Sequence, residues 1–111
     1  MFTEISKEEL RDRMEAGEDF DLVDVRSGEN YRRRHLPGAL HIPLAEMDDM
    51  ARVVLKIDGE VVLYCSGPQC SKGRRAARIL EGMGFRNVFV YAGGILDWKA
   101  GRLPFEGDGE G

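Results

Sequence analysis

The sequence predicts an α/β fold in which helices cover both faces of a parallel sheet. Short β-type segments alternate with helical segments along the whole chain. The most apolar extended segment, residues 60–64, runs into a loop rich in Gly, Ser and Pro, and a helical pattern follows that loop. Crossovers in such a sheet are right-handed, and ligands bind beyond the carboxyl ends of the strands. We therefore expect the site beyond residue 64.

Extended segments are predicted where apolar, β-branched and aromatic residues run between turn signals. They cover residues 2–5, 21–25, 39–42, 60–64 and 87–91. The segment 60–64 is the best defined, because the Asp58-Gly59 turn signal precedes it and all but its first residue are apolar or aromatic. We expect this segment to be a buried strand.

Helical segments are expected between these strands. Ser6 and Glu9 form a capping-box pattern, which opens a helix that ends near Gly17. The later helices are predicted over residues 29–34, from Pro43 to about Val54, over residues 74–83, and from Gly93-Gly94 through Trp98. Residues 1–105 are thus assigned to one domain, and residues 106–111 to a flexible, glycine-rich tail.

Composition and charge exclude several classes of function. The net charge of −4 argues against nucleic acid and anionic membranes as partners, because both require a basic face. No apolar run approaches the ~20 residues that span a bilayer, and acidic residues stand where a signal peptide needs an apolar core. The sequence therefore predicts a cytoplasmic protein.

The two cysteines, Cys65 and Cys70, lie five positions apart. A structural disulfide between them would close a small loop and stabilise the fold little. In a reducing compartment such a pair indicates metal binding or reactivity. Metal binding is the weaker interpretation, because only His35 and His41 are available and their spacing does not suit a zinc site. We expect no metal and no organic cofactor.

Cys65 is the candidate reactive residue, because it comes directly after the strongest strand and shortly before a helix. Free N–H groups and the helix dipole would stabilise a thiolate there, lowering the thiol pKa from about 8.5. Gly67 and Gly73 would let the loop curl around an anion, and Arg74 and Arg75 would add positive charge. The alternative is an inert buried cysteine followed by arginines on a solvated helix face.

Several motifs, in order along the chain, resemble those of the rhodanese-domain family. Tyr31-x3-His35-Leu36-Pro37-Gly38-Ala39 is similar to the family's N-terminal signature, and the strand that ends at Cys65 is similar to its catalytic strand. The resembling segments are residues 20–26, 29–31, 35–39, 42–44, 61–65, 84–88, 93–95 with Trp98, and 101–104. The resemblance covers roughly residues 3 to 105.

The resemblance implies a five-stranded parallel sheet flanked by helices on both faces, and sulfane-sulfur transfer through a persulfide. Cys65 corresponds to the family's nucleophile. The implied donor is a small sulfur compound, thiosulfate or a persulfide, and the acceptor is a thiol, cyanide or an acceptor protein. The implied substrate-binding loop contains Ser66, Gly67, Pro68, Gln69, Cys70, Ser71, Lys72, Gly73 and Arg74.

Two further residues, Asp24 and Arg26, end the second predicted strand at the same edge of the sheet. The resemblance implies that they brace the active-site loop through hydrogen bonds. A surface ion pair, which would contribute little stability, is the alternative for both.

The loop after Cys65 is longer than in compact family members, which resemble Cys-x-x-Gly-x-Arg-Ser. A shifted register beginning at Cys70 nearly fits that pattern, but Cys65 is preferred because the nucleophile of the family stands at the strand end. Cys70 then has three interpretations: a bystander, a resolving thiol that attacks a Cys65 persulfide, or half of a redox disulfide.

Two other functions remain as alternatives. A phosphatase or arsenate reductase on the same fold would resemble Cys-x5-Arg, yet Ser71 stands at the position of that arginine. A non-catalytic module that docks or senses redox state through Cys65 and Cys70 is the second alternative.

Overall fold

The computed structural model of the chain describes residues 1–109, and its centre is a five-stranded sheet in which every strand pairing is parallel. The strand order is β1-β5-β4-β2-β3. The strands are β1 Thr3–Glu4, β2 Asp21–Asp24, β3 Leu40–His41, β4 Glu60–Tyr64 and β5 Asn87–Tyr91. The predicted sheet is confirmed, and β4 occupies its middle position.

A helix follows each strand. They are α1 Lys7–Glu15, α2 Gly28–Arg33, α3 Met47–Val54, α4 Lys72–Gly82 and α5 Gly94–Ala100. The capping box of Ser6 and Glu9 is present at the start of α1. The helix expected from Pro43 is divided into a 3₁₀ turn, Leu44–Glu46, and α3. No helix within residues 1–109 is long and apolar enough to cross a bilayer.

The α4 helix begins at Lys72, two residues before the start expected at residue 74. The sequence pattern missed this first turn because its apolar periodicity starts only at Ala76. Gly73, inside the first turn, is buried against β4, where an added Cβ would lie 3.9 Å from the Cα of Tyr64. The start of α4 is therefore packed onto the end of β4.

Two apolar clusters fill the spaces on either side of the sheet, because successive side chains of a strand point to opposite faces. Val61 and Leu63 pack in one cluster with α3 and α4 residues such as Ala51 and Leu80. The other cluster contains Val62 and Tyr64 together with Leu10 from α1, and Ile95 and Trp98 from α5. Cys65 continues the alternation of β4 and lies on the α3/α4 side.

The register of the sheet brings three loops to one edge. Asp24 of β2 pairs with Tyr64 of β4, which pairs with Tyr91 of β5. The three strands are parallel, so the loops that follow these residues leave the sheet side by side. The segment after Tyr64 stands between the other two.

The segment predicted as a flexible tail, residues 106–111, is described only as far as residue 109. The backbones of Glu106 and His35 exchange two hydrogen bonds of 2.9 Å. The N–H groups of Asp108 and Gly109 donate to carbonyls of α2 at 2.9 and 3.0 Å. Ordered contacts therefore continue past the boundary at residue 105, and residues 110 and 111 lie outside the described residues.

Candidate active site

Cys65 lies where β4 ends, and its backbone is fixed by the neighbouring elements. The carbonyl of Cys65 accepts the N–H of Ile95 at 3.2 Å, and the carbonyl of Ser66 accepts the N–H of Leu96 at 2.9 Å. On the other side, the N–H of Val25 donates to the carbonyl of Tyr64 at 3.1 Å. The side chain of Cys65 is buried, with 6% of its surface exposed.

The loop after Cys65 curls back on itself. The N–H of Cys70 donates to the carbonyl of Gly67 at 3.0 Å, which closes a four-residue turn with Pro68 at its favoured second position. Cys65 and Cys70 are joined as a disulfide, and their Cα atoms are 6.4 Å apart. Of the three interpretations of Cys70, the disulfide is the one that this structure contains. Neither cysteine is a free thiol in this state.

The first turn of α4 faces the end of β4 without a side-chain cap. The N-cap residue, Ser71, makes no capping hydrogen bond. Across residues 1–109, the backbone N–H groups of Lys72, Gly73 and Arg74 find no backbone partner outside their own helix. Unpaired N–H groups and the positive end of the helix dipole favour an anion at this position. The local chemistry therefore suits a thiolate or persulfide.

The start of α5 is packed against the same loop, a feature that the sequence analysis missed. Gly94 has a φ of +61°, and a Cβ there would lie 2.8 Å from the nitrogen of Gly67 and 2.9 Å from the carbonyl carbon of Ser66. Only glycine permits this conformation and this approach at low cost. The Gly93-Gly94 pair was the available signal, but the sequence indicates only a turn.

The basic residues near the loop point in different directions. Nε of Arg74 donates to the carboxylate of Glu4 on β1 at 3.3 Å, so the positive charge of Arg74 is partnered at that side of the molecule. Arg75 forms no ion pair within the described part of the chain, and with Lys72 it lines a separate groove. The positive charge expected around Cys65 is therefore divided between Arg74, which contacts β1, and the pair of Lys72 and Arg75, which lines the groove.

The remaining residues of the predicted loop differ mainly in exposure. Gly67 and Gly73 are buried, Cys70 is half-buried, and the exposed positions are Ser66, Pro68, Gln69, Ser71 and Lys72. The hydroxyl of Ser66 lies 3.9 Å from the sulfur of Cys65. The structure thus brings residues 65–74 together as one loop and helix start, and their role in binding substrate stays a prediction.

Asp24 and Arg26 form a buried ion pair rather than a surface pair. Their exposed fractions are 0% and 8%. Nη2 of Arg26 donates to Oδ2 of Asp24 at 2.7 Å, and the backbone N–H of Arg26 donates to Oδ1 at 2.9 Å. Nη2 also donates to the carbonyl of Arg34, just after α2. These hydrogen bonds reach α2 and not residues 65–74, so bracing of the active-site loop stays a prediction.

Tyr64, the residue before the cysteine, is a neutral buried phenol. Its hydroxyl accepts the N–H of Leu36 at 3.0 Å. Burial raises the pKa of Tyr64 far above its ordinary value, and the negative charge of Asp24 raises this pKa further. Tyr64 therefore holds the segment around Leu36 in place without supplying charge to the site.

An open groove of about 730 Å³ runs beside the loop. Its walls come from the segment after β2, from the 3₁₀ turn with the start of α3, and from one side of α4. The lining residues are Val25, Arg26, Ser27, Pro43, Leu44, Ala45, Asp48, Lys72, Arg75, Arg78 and Ile79. The groove contacts the predicted substrate-binding loop at Lys72.

Curated relatives of the chain include a transcriptional regulator and sulfur-handling proteins. The HTH-type transcriptional regulator Rv0324 of Mycobacterium tuberculosis is 41% identical over 92% of this chain, and the match covers 44% of that protein. The putative sulfur carrier protein YrkF of Bacillus subtilis is 34% identical over 86% of this chain and is covered to 50%. The chain thus spans about half the length of these two relatives. A sulfurtransferase of Allochromatium vinosum is 31% identical, with 94% of each chain covered.

A solved structure and a family model also match most of the chain. The crystal structure of BH2092 from Bacillus halodurans superposes with a TM-score of 0.88 at 31% identity, covering 95% of this chain and 77% of that one. The model of the rhodanese-like domain matches residues 6–101. The chain therefore belongs to the rhodanese-like domain family.

Proposed function

We propose that the chain is a sulfurtransferase that moves sulfane sulfur from a donor such as thiosulfate to a thiol or cyanide acceptor, through a persulfide on Cys65. The observation that carries this proposal is the position of Cys65, at the end of the central strand and opposite the uncapped first turn of α4. Relatives named sulfurtransferase and sulfur carrier support the same chemistry.

In the first step, the Cys65 thiolate attacks the outer sulfur of thiosulfate. A new sulfur–sulfur bond forms on Cys65, the sulfur–sulfur bond of the donor breaks, and sulfite leaves with the electron pair. The N–H groups of residues 72–74 would stabilise both the anionic donor and the persulfide, because they are oriented before the reaction begins. No general base is needed if the helix end already favours the thiolate.

In the second step, an acceptor thiolate or cyanide attacks the outer sulfur of the persulfide. The bond between that sulfur and Cys65 breaks, and the Cys65 thiolate returns to its starting state. Covalent catalysis of this kind divides one transfer into two steps, so ping-pong kinetics are expected.

The disulfide with Cys70 must be opened before the first step, because it occupies the nucleophile. Two electrons and two protons from a dithiol reductant would convert it into two thiols, while the reductant becomes a disulfide. A cytoplasmic location fits the proposal, since the thiol pool of that compartment would keep Cys65 reduced.

The disulfide also supports a second candidate, a redox-responsive module that does not transfer sulfur. In that case the reversible bond between Cys65 and Cys70 would be the function itself. The phosphatase and arsenate reductase chemistry is less favoured, because the exposed Ser71 stands where an oxyanion-binding arginine would be needed.

Intact mass spectrometry tests these candidates. The wild-type chain, Cys65→Ser and Cys70→Ser would be reduced, freed of reductant and treated with thiosulfate. We expect the wild-type chain and Cys70→Ser to gain the mass of one sulfur atom, and Cys65→Ser to gain none. Cyanide should then remove the added sulfur as thiocyanate.

The other possible results of this loading experiment would contradict the proposal in different ways. Sulfur that is lost in Cys70→Ser and kept in Cys65→Ser would move the nucleophile to Cys70. No added sulfur in any variant, with the disulfide still forming and opening reversibly, would favour the redox-responsive module.

A further inference from the structure

We infer that the groove beside the active-site loop binds an acidic peptide segment that carries the acceptor thiol. This inference rests on the proposed function and names the class of acceptor for the same site. It is carried by the charges that line the groove and by the position of the groove relative to Cys65.

Three cations of the groove share one side of α4. Lys72, Arg75 and Arg78 are spaced three residues apart, so they follow one another along the helix surface. All three are exposed, and none of them forms an ion pair within residues 1–109. Arg74, on the same helix, is by contrast paired with the carboxylate of Glu4. The α4 cations are therefore available to an external anion.

Negative charge in the groove is small by comparison. Asp48 is the one carboxylate among its lining residues. The fourth basic residue, Arg26, is already neutralised by its buried contact with Asp24. The groove is thus a positive surface on a chain whose net charge is −4. Such a local field attracts anionic partners and repels cationic ones.

Residues 65–71 do not line the groove themselves, but two of its lining residues, Val25 and Lys72, are neighbours of this segment. Val25 follows the Asp24–Tyr64 pair and donates its N–H to the carbonyl of Tyr64 at 3.1 Å, so it lies next to the residue that precedes Cys65. Val25 is one wall of the groove, and Lys72, at the other wall, opens the helix that faces Cys65. A chain lying in the groove could therefore place its terminal thiol near the persulfide.

The size and the apolar lining of the groove favour a peptide over a small inorganic anion. Its volume of about 730 Å³ is in the range of sites for ligands far larger than thiosulfate or cyanide. Pro43, Leu44 and Ile79 give it apolar surface between the charges. A peptide with carboxylates and short aliphatic groups matches both properties.

Three synthetic acceptor peptides of equal length test this inference. Each ends in cysteine, and the preceding residues are all glutamate, all serine or all lysine. With the persulfide-loaded wild-type chain we expect the lowest KM for the glutamate peptide and the highest for the lysine peptide. In Arg75→Glu/Arg78→Glu the KM of the glutamate peptide should rise about tenfold, with kcat and the serine peptide little changed.

A matched control reverses the same number of charges elsewhere. Arg33 and Arg86 are exposed and do not line the groove, so Arg33→Glu/Arg86→Glu should leave the preference for the glutamate peptide intact. Both variants are first loaded to one sulfur per chain with excess thiosulfate, so that the KM values compare the acceptor step alone.

Binding without chemistry separates this inference from the proposed function. A fluorescent glutamate peptide with serine in place of cysteine should bind the wild-type chain, and its Kd should rise about tenfold in Arg75→Glu/Arg78→Glu. Equal binding by both proteins, or equal KM values for the three peptides, would overturn the inference while sulfur loading stands. A wild-type chain that loads no sulfur but binds the glutamate peptide selectively would overturn the proposed function and leave an acidic-peptide site.

Discussion

Of the three loops that leave one edge of the sheet, those after β2 and β4 are held by different means. The loop after β2 is fixed by the buried Asp24–Arg26 ion pair, which also reaches the carbonyl of Arg34. The loop after β4 is fixed by backbone hydrogen bonds to α5 and by the bond between Cys65 and Cys70. The ion pair does not depend on redox conditions, whereas the disulfide can be opened by a reductant. The nucleophile that we propose, Cys65, is thus in the loop whose restraint is reversible.

Breaking the Asp24–Arg26 ion pair should have the largest effect on stability. In Asp24→Asn, the guanidinium of Arg26 stays buried without a counter-charge, and we expect a loss of about 4 kcal/mol in the free energy of unfolding. Urea denaturation at neutral pH measures it. The double variant Asp24→Asn/Arg26→Met removes both charges and should recover part of the loss. A cost for Asp24→Asn below about 1 kcal/mol would mean that water screens this pair as it does a surface pair.

The contact of α5 with the loop after β4 should have the next largest effect on the free energy of unfolding. Gly94→Ala would force a side chain into a positive-φ position and against the backbone of Ser66 and Gly67. We expect a loss of about 3 kcal/mol from strain and overpacking together.

Gly82→Ala is the matched control for this glycine. A Cβ at Gly82 meets nothing within 4 Å, and the residue is helical. That variant should be stabilised by roughly 0.5–1 kcal/mol. If Gly94→Ala were equally harmless, the close approach of α5 to the loop would have no energetic consequence.

Strand positions were predictable from the sequence, because the β4 and β5 segments are apolar runs between clear turn signals. The position of Cys65 at the end of β4 followed from the same run. The contact of Gly94 with the loop was not predictable, since it depends on how α5 returns to the sheet from a distant part of the chain. The partner of Arg74 was missed for the same reason: Glu4 lies seventy residues away in sequence.

The disulfide itself should contribute less than these two contacts. Its loop is short, so the chain-entropy estimate for its contribution is about 2 kcal/mol. We expect Cys70→Ser to be less stable than the wild-type chain by that amount under oxidising conditions. The two proteins should be nearly equal in excess dithiol, where neither has the bond. A difference of the same size in dithiol would assign the effect to the side chain of Cys70 and not to the bond.

The smallest effect on stability is expected from the exposed ion pair of Arg74 and Glu4. Arg75, which forms no ion pair within the described residues, serves as the comparison. The partners are 3.3 Å apart and their side chains are 30% and 54% exposed, so solvent screens their attraction. A double-mutant cycle of Arg74→Gln and Glu4→Gln should give a coupling energy below about 1 kcal/mol that declines in high salt. Glu4→Gln combined with Arg75→Gln should give none. Equal coupling in the two cycles would mean that the positive charge at the start of α4 acts as one diffuse field. Unequal coupling would support the division of this charge between β1 and the groove, on which the selection of an acidic acceptor depends.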